Sequence, residues 1–375
     1  MRVKDAIIRK IPFLANLNGL KHPIKTISIS KKVKKDFEDY KEDKNQISMK
    51  DDVKEIFKRS FIKFIWAQSK DSEIAFSFLT SIIKPVRENI KIEEIGNKTP
   101  ILICIVKDDI QRIEMSLNYY RKMGVKNFVY VDNMSTDGTF EYLLKQPDID
   151  LYKCETPYTT KNREAWINRI IAHYGFNHWY LCVDSDELFV YDKMEEMTID
   201  EYISKLGKKN RRVRALLLDM YSKEAIFQET DNIQGYYCYF DGDTYEHKST
   251  YKLEAVTGGP RQRVFFENSN KKFMLTKYPL FYFIKGDIQC GSHFQYPFSP
   301  NCGIPCTTAL LHYKFLKSDL QKYMDRVKLG NYANGSEEYK KYIEVYNKGK
   351  NISLYNEKSI KYIDSQSLKK IKNIF

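Results

Sequence analysis

The sequence predicts an α/β protein with a largely parallel sheet and flanking helices. Three observations predict it. Short apolar runs recur from residue 99 onward, at TPILICIVKDD, VKNFVYVDN, DIDLYKCE and HWYLCVDSDELFVY. Segments of helical periodicity separate them, which is the rhythm of parallel strands joined by crossover helices. Three of the runs end in polar clusters: VKDD at 106–109, VDNMSTDGT at 131–139 and VDSDE at 183–187. In open α/β sheets ligands bind beyond the carboxyl ends of the strands, so these clusters are expected on one rim.

Each element follows in order. Residues 1–98 are lysine-rich and read as a basic, partly helical N-terminal extension. Within it KKVKKDFEDYKEDKNQ reads as a solvated charged stretch. FKRSFIKFIWAQ and IAFSFLTSIIKPV read as short amphipathic helices packed on the main domain, with an anionic lipid surface as the sharper alternative. The main domain spans 99–330. TPILICIVKDD is a buried strand. Ile110, Ile113, Leu117 and Tyr120 then recur at helical spacing, and Gly124 stops the helix. VKNFVYVDN is a second strand, and MSTDGTFEYLLK a helix that Ser135 or Asp137 can cap. DIDLYKCE is a third strand, and TTKNREAWINRIIAHYG a helix ending at Gly175. HWYLCVDSDELFVY reads as one continuous fourth strand. Thr198 with Glu201, and Ser318 with Gln321, match the capping-box pattern. RRVRALLLDMY is a further strand. Short aromatic strands fill 236–316, and 331–375 is a lysine-rich helical tail.

Composition bounds the function. The chain has 375 residues, 42% hydrophobic and 14% aromatic, enough for a packed core. A net charge of +13 points to an anionic partner: nucleotide phosphates, a membrane face or nucleic acid. A polyanion binder needs lysines at the strand ends, where this chain clusters acids, so nucleic acid is not expected. No apolar run reaches the roughly 18 residues of a membrane span. The N-terminus lacks the apolar core and cleavage site of a signal peptide. Seven scattered cysteines suit a reducing compartment, so the expected location is the cytoplasm, with peripheral contact at the inner membrane face.

The chemistry is expected at VDSDE. Asp184 and Asp186 share one face if the strand continues through them. Two carboxylates so close repel unless a cation lies between them or one stays protonated, and Mn²⁺ or Mg²⁺ with oxygen ligands relieves this. His312 in LLHYK offers an imidazole as third ligand. In GGPRQR two glycines let backbone approach a ligand, and Arg261 and Arg263, with Lys277, supply phosphate-binding cations. Lys314 reaches the same diphosphate if its segment is extended. A rival site is a structural zinc held by Cys290, His293, Cys302 and Cys306, whose spacing is not a common ribbon pattern.

VKDD, FVYVDNMSTDGT and HWYLCVDSDELF together resemble the nucleotide-sugar domain of glycosyltransferase family 2 and its family 92-like relatives. VTGGPRQR at 256–263, KYPLF at 277–281, GSHF at 291–294 and LLHYKFL at 310–316 resemble the C-terminal half of the family 92-like group. The resemblance covers about residues 99–320. It implies a GT-A fold, a Rossmann-like mixed sheet with flanking helices. It also implies metal-dependent transfer of a sugar from a nucleotide donor, UDP-linked by preference, to a glycan or lipid-linked acceptor. The richness in Lys, Ile, Asn and Tyr suggests an AT-rich bacterial genome, and in that setting the expected product is a surface polysaccharide such as capsule or lipopolysaccharide.

At matching positions the resemblance assigns roles. Asp132 recognises the base, with Asn133, Ser135 and Asp137 completing its loop. Lys107 and Asp109 lie beside the nucleotide, although the family more often has an Arg-Asn-Glu type sequence where this chain has Lys107, Asp108 and Asp109. Asp184 and Asp186 form the metal-binding D-x-D, with Ser185 and Glu187 positioning donor and loop, and Arg163 with Asn162 reaches the donor. His293 falls near the acceptor. An inverting reaction needs a general base, for which Asp287 ranks first, then Glu254 and Asp219. Two other classes compete. One is a non-catalytic protein of the same fold binding anionic membrane or nucleic acid. The other is a nucleotidyltransferase, which needs a glycine-rich loop that VKDDIQRIEMS lacks.

Overall fold

The computed structural model describes residues 20–68, 72–207, 210–267, 269, 272–330, 333–348 and 351–372. Its strands are β1 (Ile83–Arg87), β2 (Ile101–Val106), β3 (Asn127–Asp132), β4 (Ile149–Cys154), β5 (His178–Cys182), β6 (Glu187–Tyr191) and β7 (Arg212–Asp219). They continue with β8 (Tyr239–Asp241), β9 (Tyr245–Ser249), β10 (Glu254–Gly258), β11 (Thr276–Phe283), β12 (Ile288–Gln289), β13 (Gln295–Tyr296), β14 (Cys306–His312) and β15 (Ser359–Lys361). Nine form one mixed sheet in the order β1-β4-β3-β2-β5-β11-β7-β14-β6. The pairings run β2, β3, β4, β5, β7 and β14 one way, and β1, β11 and β6 the other. The α/β expectation therefore holds, with three antiparallel members in a mostly parallel sheet.

The central strands are buried along their whole length, ILICIV at β2 and RVRALLLD at β7 among them. They need cover on both faces. One face packs against helices Ile110–Met123 and Ile199–Lys205 through Ile113, Leu117, Tyr120, Ile199 and Ile203. The other packs against helix Thr160–Tyr174 and the N-terminal helices through Trp166, Ile170, Phe57, Phe61 and Phe78. Thr198 and Glu201 form the expected capping box, and Gly124 and Gly175 end their helices with positive φ.

Several expectations need correction. KKVKKDFEDYKEDKNQ keeps most of its charges in solvent, but KKVKKDFED is helical: helix Pro23–Asp39 runs through it and buries Val33 and Phe37. IAFSFLTSIIKPV is not one helix. It is helix Glu73–Thr80 followed by β1, which joins the sheet edge beside β4. Pro85 cannot donate a ladder hydrogen bond, and an edge strand tolerates this. Packing thus continues across residue 99. Ser318 makes no cap; its hydroxyl donates to Gln111 instead, and Gln321 bonds Asp325.

The largest correction concerns HWYLCVDSDELFVY. It is two strands, β5 and β6, with the acids in the turn between them. β11, β7 and β14 separate the two in the sheet. Asp184 and Asp186 therefore do not alternate along a strand.

Candidate active site at the carboxyl rim of the sheet

All six co-directional strands end at one rim, and a cleft of about 420 Å³ opens there. That volume suits a small-molecule ligand. β2 delivers Lys107 and Asp109, β3 delivers Asn133, the β5–β6 turn delivers Asp184 to Glu187, and β14 delivers His312 and Lys314. β11 runs against the others, so its start, not its end, lies on this rim and brings in Lys277. β6 is also reversed, and its first residue, Glu187, pairs with His312 at the end of β14. This register brings the turn acids and the histidine together.

Asp186, Glu187 and His312 each place one ligand atom within 4.8 Å of the others. Among the described residues this is the one such group of acidic, histidine and cysteine side chains. His312 Nε2 lies 3.3 Å from Asp186 Oδ2, and Nδ1 lies 2.7 Å from Asp219 Oδ1. A carboxylate behind a histidine fixes the tautomer that turns the far nitrogen to a metal. Two carboxylates and an imidazole suit Mn²⁺ or Mg²⁺ more than soft metals. The residues therefore fit a divalent cation.

Asp184, expected as a ligand, is engaged elsewhere. Its oxygens take Arg163 at 2.6 Å and Lys277 at 3.1 Å. Lys277 also contacts Glu187. Desolvation opposes charge on Asp184, but Arg163 and Lys277 hold its carboxyl well below the usual range. Desolvation likewise opposes Asp186, and His312 with Arg112 overcomes it. For Glu187 burial wins, raising its carboxyl despite Lys277. Burial lowers the basicity of His312, but Asp186 and Asp219 together raise it above an ordinary histidine. The D-x-D acids thus rest in a lattice of protein cations.

A second lattice supports the turn from below. Asp109 accepts from Ser185 Oγ at 2.5 Å, from Arg112 at 2.6 Å and from Lys322 at 2.8 Å. Arg112 also bonds the Tyr313 carbonyl at 2.8 Å and contacts Asp319. It ties together the β2 end, β14 and helix Asp319–Leu329. Arg261 donates to Asp219 at 2.7 Å and to Glu338 at 3.0 Å, and Lys314 reaches Glu338 at 2.8 Å. Nine lysine and arginine side chains line the cleft against six acids. The excess is cationic around an acidic centre.

The remaining expected residues divide. Lys107 lines the cleft, its ammonium on the carbonyls of Asn133 and Met134. Asn133 lines it too, with its amide tied to Cys154 and Thr156 carbonyls. Asp132 lies beneath, wholly buried; Oδ1 accepts from the Ser135 amide, and Oδ2 has no hydrogen-bond partner among the described residues. Burial raises its carboxyl. Ser135 and Asp137 do not line the cleft. They staple the β3 loop to the β2 loop, accepting from the Asp108 and Ile110 amides.

The three proposed general bases do not line the cleft either. Asp287 follows β11, so it lies at the opposite rim, between Arg211 and Arg212. Glu254 starts β10, the second strand of the β9–β10 hairpin, and accepts from Ser249 and Gly303. Asp219 is taken up by His312 and Arg261. Arg263 faces away as well, onto Asp241 and the Leu354 carbonyl. Cys302 and Cys306 turn to backbone carbonyls and Cys290 to the Phe294 carbonyl, while His293 Nδ1 meets Thr276. Those four do not assemble.

Sequence reasoning missed Arg112, Asp319, Lys322, Arg326 and Glu338. One signal was available: Asp319, Lys322, Tyr323 and Arg326 share a helix face at i, i+3, i+4 and i+7. Glu338 had none, since its role depends on where helix Ala333–Asn347 packs. No protein-family model matches the chain, and no curated protein is similar to it.

Proposed function

We propose that the chain is a divalent-metal-dependent glycosyltransferase of GT-A fold, taking a nucleotide-sugar donor, UDP-linked by preference. The observation that carries this reading is the Asp186–Glu187–His312 group at the carboxyl rim of a mixed α/β sheet, ringed by cations. A bound Mn²⁺ or Mg²⁺ would supply charge neutralisation for a departing diphosphate. The chain's own residues do the rest. Asp219 holds the His312 ring in place. Arg112 fixes the turn. Arg163, Arg261, Lys314 and Lys322 offer donors to phosphate oxygens. Lys277 stands between Asp184 and Glu187 and offsets negative charge in a desolvated site. The acceptor class supported by the resemblance is a glycan or lipid-linked glycan, and the AT-rich composition suits a bacterial surface polysaccharide. The base for an inverting reaction is sought among the cleft acids, because Asp287, Glu254 and Asp219 stand outside it.

The test is release of nucleoside diphosphate from a panel of nucleotide sugars by the full chain, with Mn²⁺, Mg²⁺ or chelator. The expected result is metal-dependent turnover with one donor, reduced at least a hundredfold in Asp186→Asn and His312→Ala. Turnover unaffected by chelation, or by both substitutions, overturns the reading.

A further inference from the structure

Helix Pro23–Asp39 presents an apolar stripe to solvent, and the structure around it points to a partner. Its inward face is accounted for by Thr26, Val33 and Phe37. At about 100° per residue, Ile24 lies about 160° from Thr26 and Ile27 about 100°, so both point away from the buried face. Ile24 is 85% exposed, Ile27 43% and the preceding Leu20 55%. Lys31, Lys34 and Lys35 flank this stripe and are exposed. Residues 20–35 contain six lysines and no acid, while Asp36, Glu38 and Asp39 close the helix. That distribution is the reverse of what stabilises a helix. Cations at the start and acids at the end both oppose the macrodipole. Only Lys34 has an ion pair within the helix among the described residues, to Glu38 at 3.8 Å; the charge distribution as a whole does not serve the helix.

We infer that this face is a docking surface for anionic lipid. Lysine-rich charge with large aliphatic side chains between is the signature of an interfacial helix. A nucleic acid would use the lysines but gain nothing from Ile24. The patch continues onto helix Glu73–Thr80, where Phe76 is 49% exposed and Lys32 lies over its ring at 5.9 Å. The next residue, Ser77, donates to Asn162 at 2.7 Å, beside Arg163 in the cleft. The surface thus adjoins the cleft wall, which suits delivery of a membrane-held acceptor. Lipid binding stands independently of the transferase reading and is measured without turnover.

The experiment is co-sedimentation of the full chain with vesicles of phosphatidylcholine, alone or with roughly one-third phosphatidylglycerol. Binding is expected only to the anionic vesicles and is expected to weaken with salt. Ile24→Glu/Ile27→Glu, and separately Lys31→Glu/Lys34→Glu/Lys35→Glu, should each reduce it by at least tenfold with the circular dichroism unchanged. Three results overturn the inference. One is no binding to anionic vesicles, as when residues before 20 or a second copy cover the stripe. Another is binding indifferent to the isoleucine changes. The last is preference for single-stranded RNA over vesicles.

Discussion

His312 Nδ1 lies 2.7 Å from Asp219 Oδ1, two strand ends apart in sequence but side by side in the sheet. The pair turns Nε2 toward Asp186 and Glu187. Asp219→Asn is expected to lower Mn²⁺ affinity by about 10–100-fold while leaving the fold intact. Isothermal titration with Mn²⁺ measures it. Unchanged affinity would mean that His312 is not a ligand or needs no support.

Lys277 holds Asp184 and Glu187 together. Lys277→Met leaves Glu187 desolvated without its counter-ion and Asp184 with Arg163 alone, a loss of about 3–5 kcal/mol. The metal-free variant should melt well below the parent protein. Millimolar Mn²⁺ should recover part of the difference, because the cation takes over the neutralising role. A melting temperature equal to the parent's would show that the ion pair is dispensable.

Glu338 pairs with Arg261 and Lys314 in the cleft. Burial opposes its charge, yet Lys314 and Arg261 keep its carboxyl well below the usual range. A diphosphate must compete with it for those cations. Glu338→Gln is expected to tighten nucleoside diphosphate binding by roughly three- to tenfold. Weaker binding would instead make Glu338 a support for the two cations.

His293 lies in the cleft wall with its basicity pushed down to about 4, by burial first and then by Lys277. The folded state keeps it neutral, whereas an unfolded histidine protonates near pH 6.5. Between those values the unfolded chain binds the extra proton. Stability is therefore full above about pH 6.5 and falls as pH drops towards 4. Urea titrations across that window should show a loss that His293→Gln reduces by of order 1–2 kcal/mol. An identical pH profile in the variant would assign the loss to other groups.

Much of the fold was legible because its signals are local. An apolar run such as ILICIV cannot be solvated, and Thr198 with Glu201 closes a capping box within one turn. VDSDE was recognisable for the same reason: acids stacked on the end of a buried run are costly without a counter-charge. The sequence by itself determined that the acids lie at a strand end on a common rim. It could not say that the strand breaks there. Only the tertiary structure decided which acids face the histidine, because that depends on β6 pairing with β14 and not with β5's neighbours. Antiparallel β11 likewise sent Lys277 to the cleft and Asp287 to the opposite rim, although ten residues separate them. Strand direction and partner choice are set by the global packing of faces. The charge on each side chain is local, but its counter-charge is not.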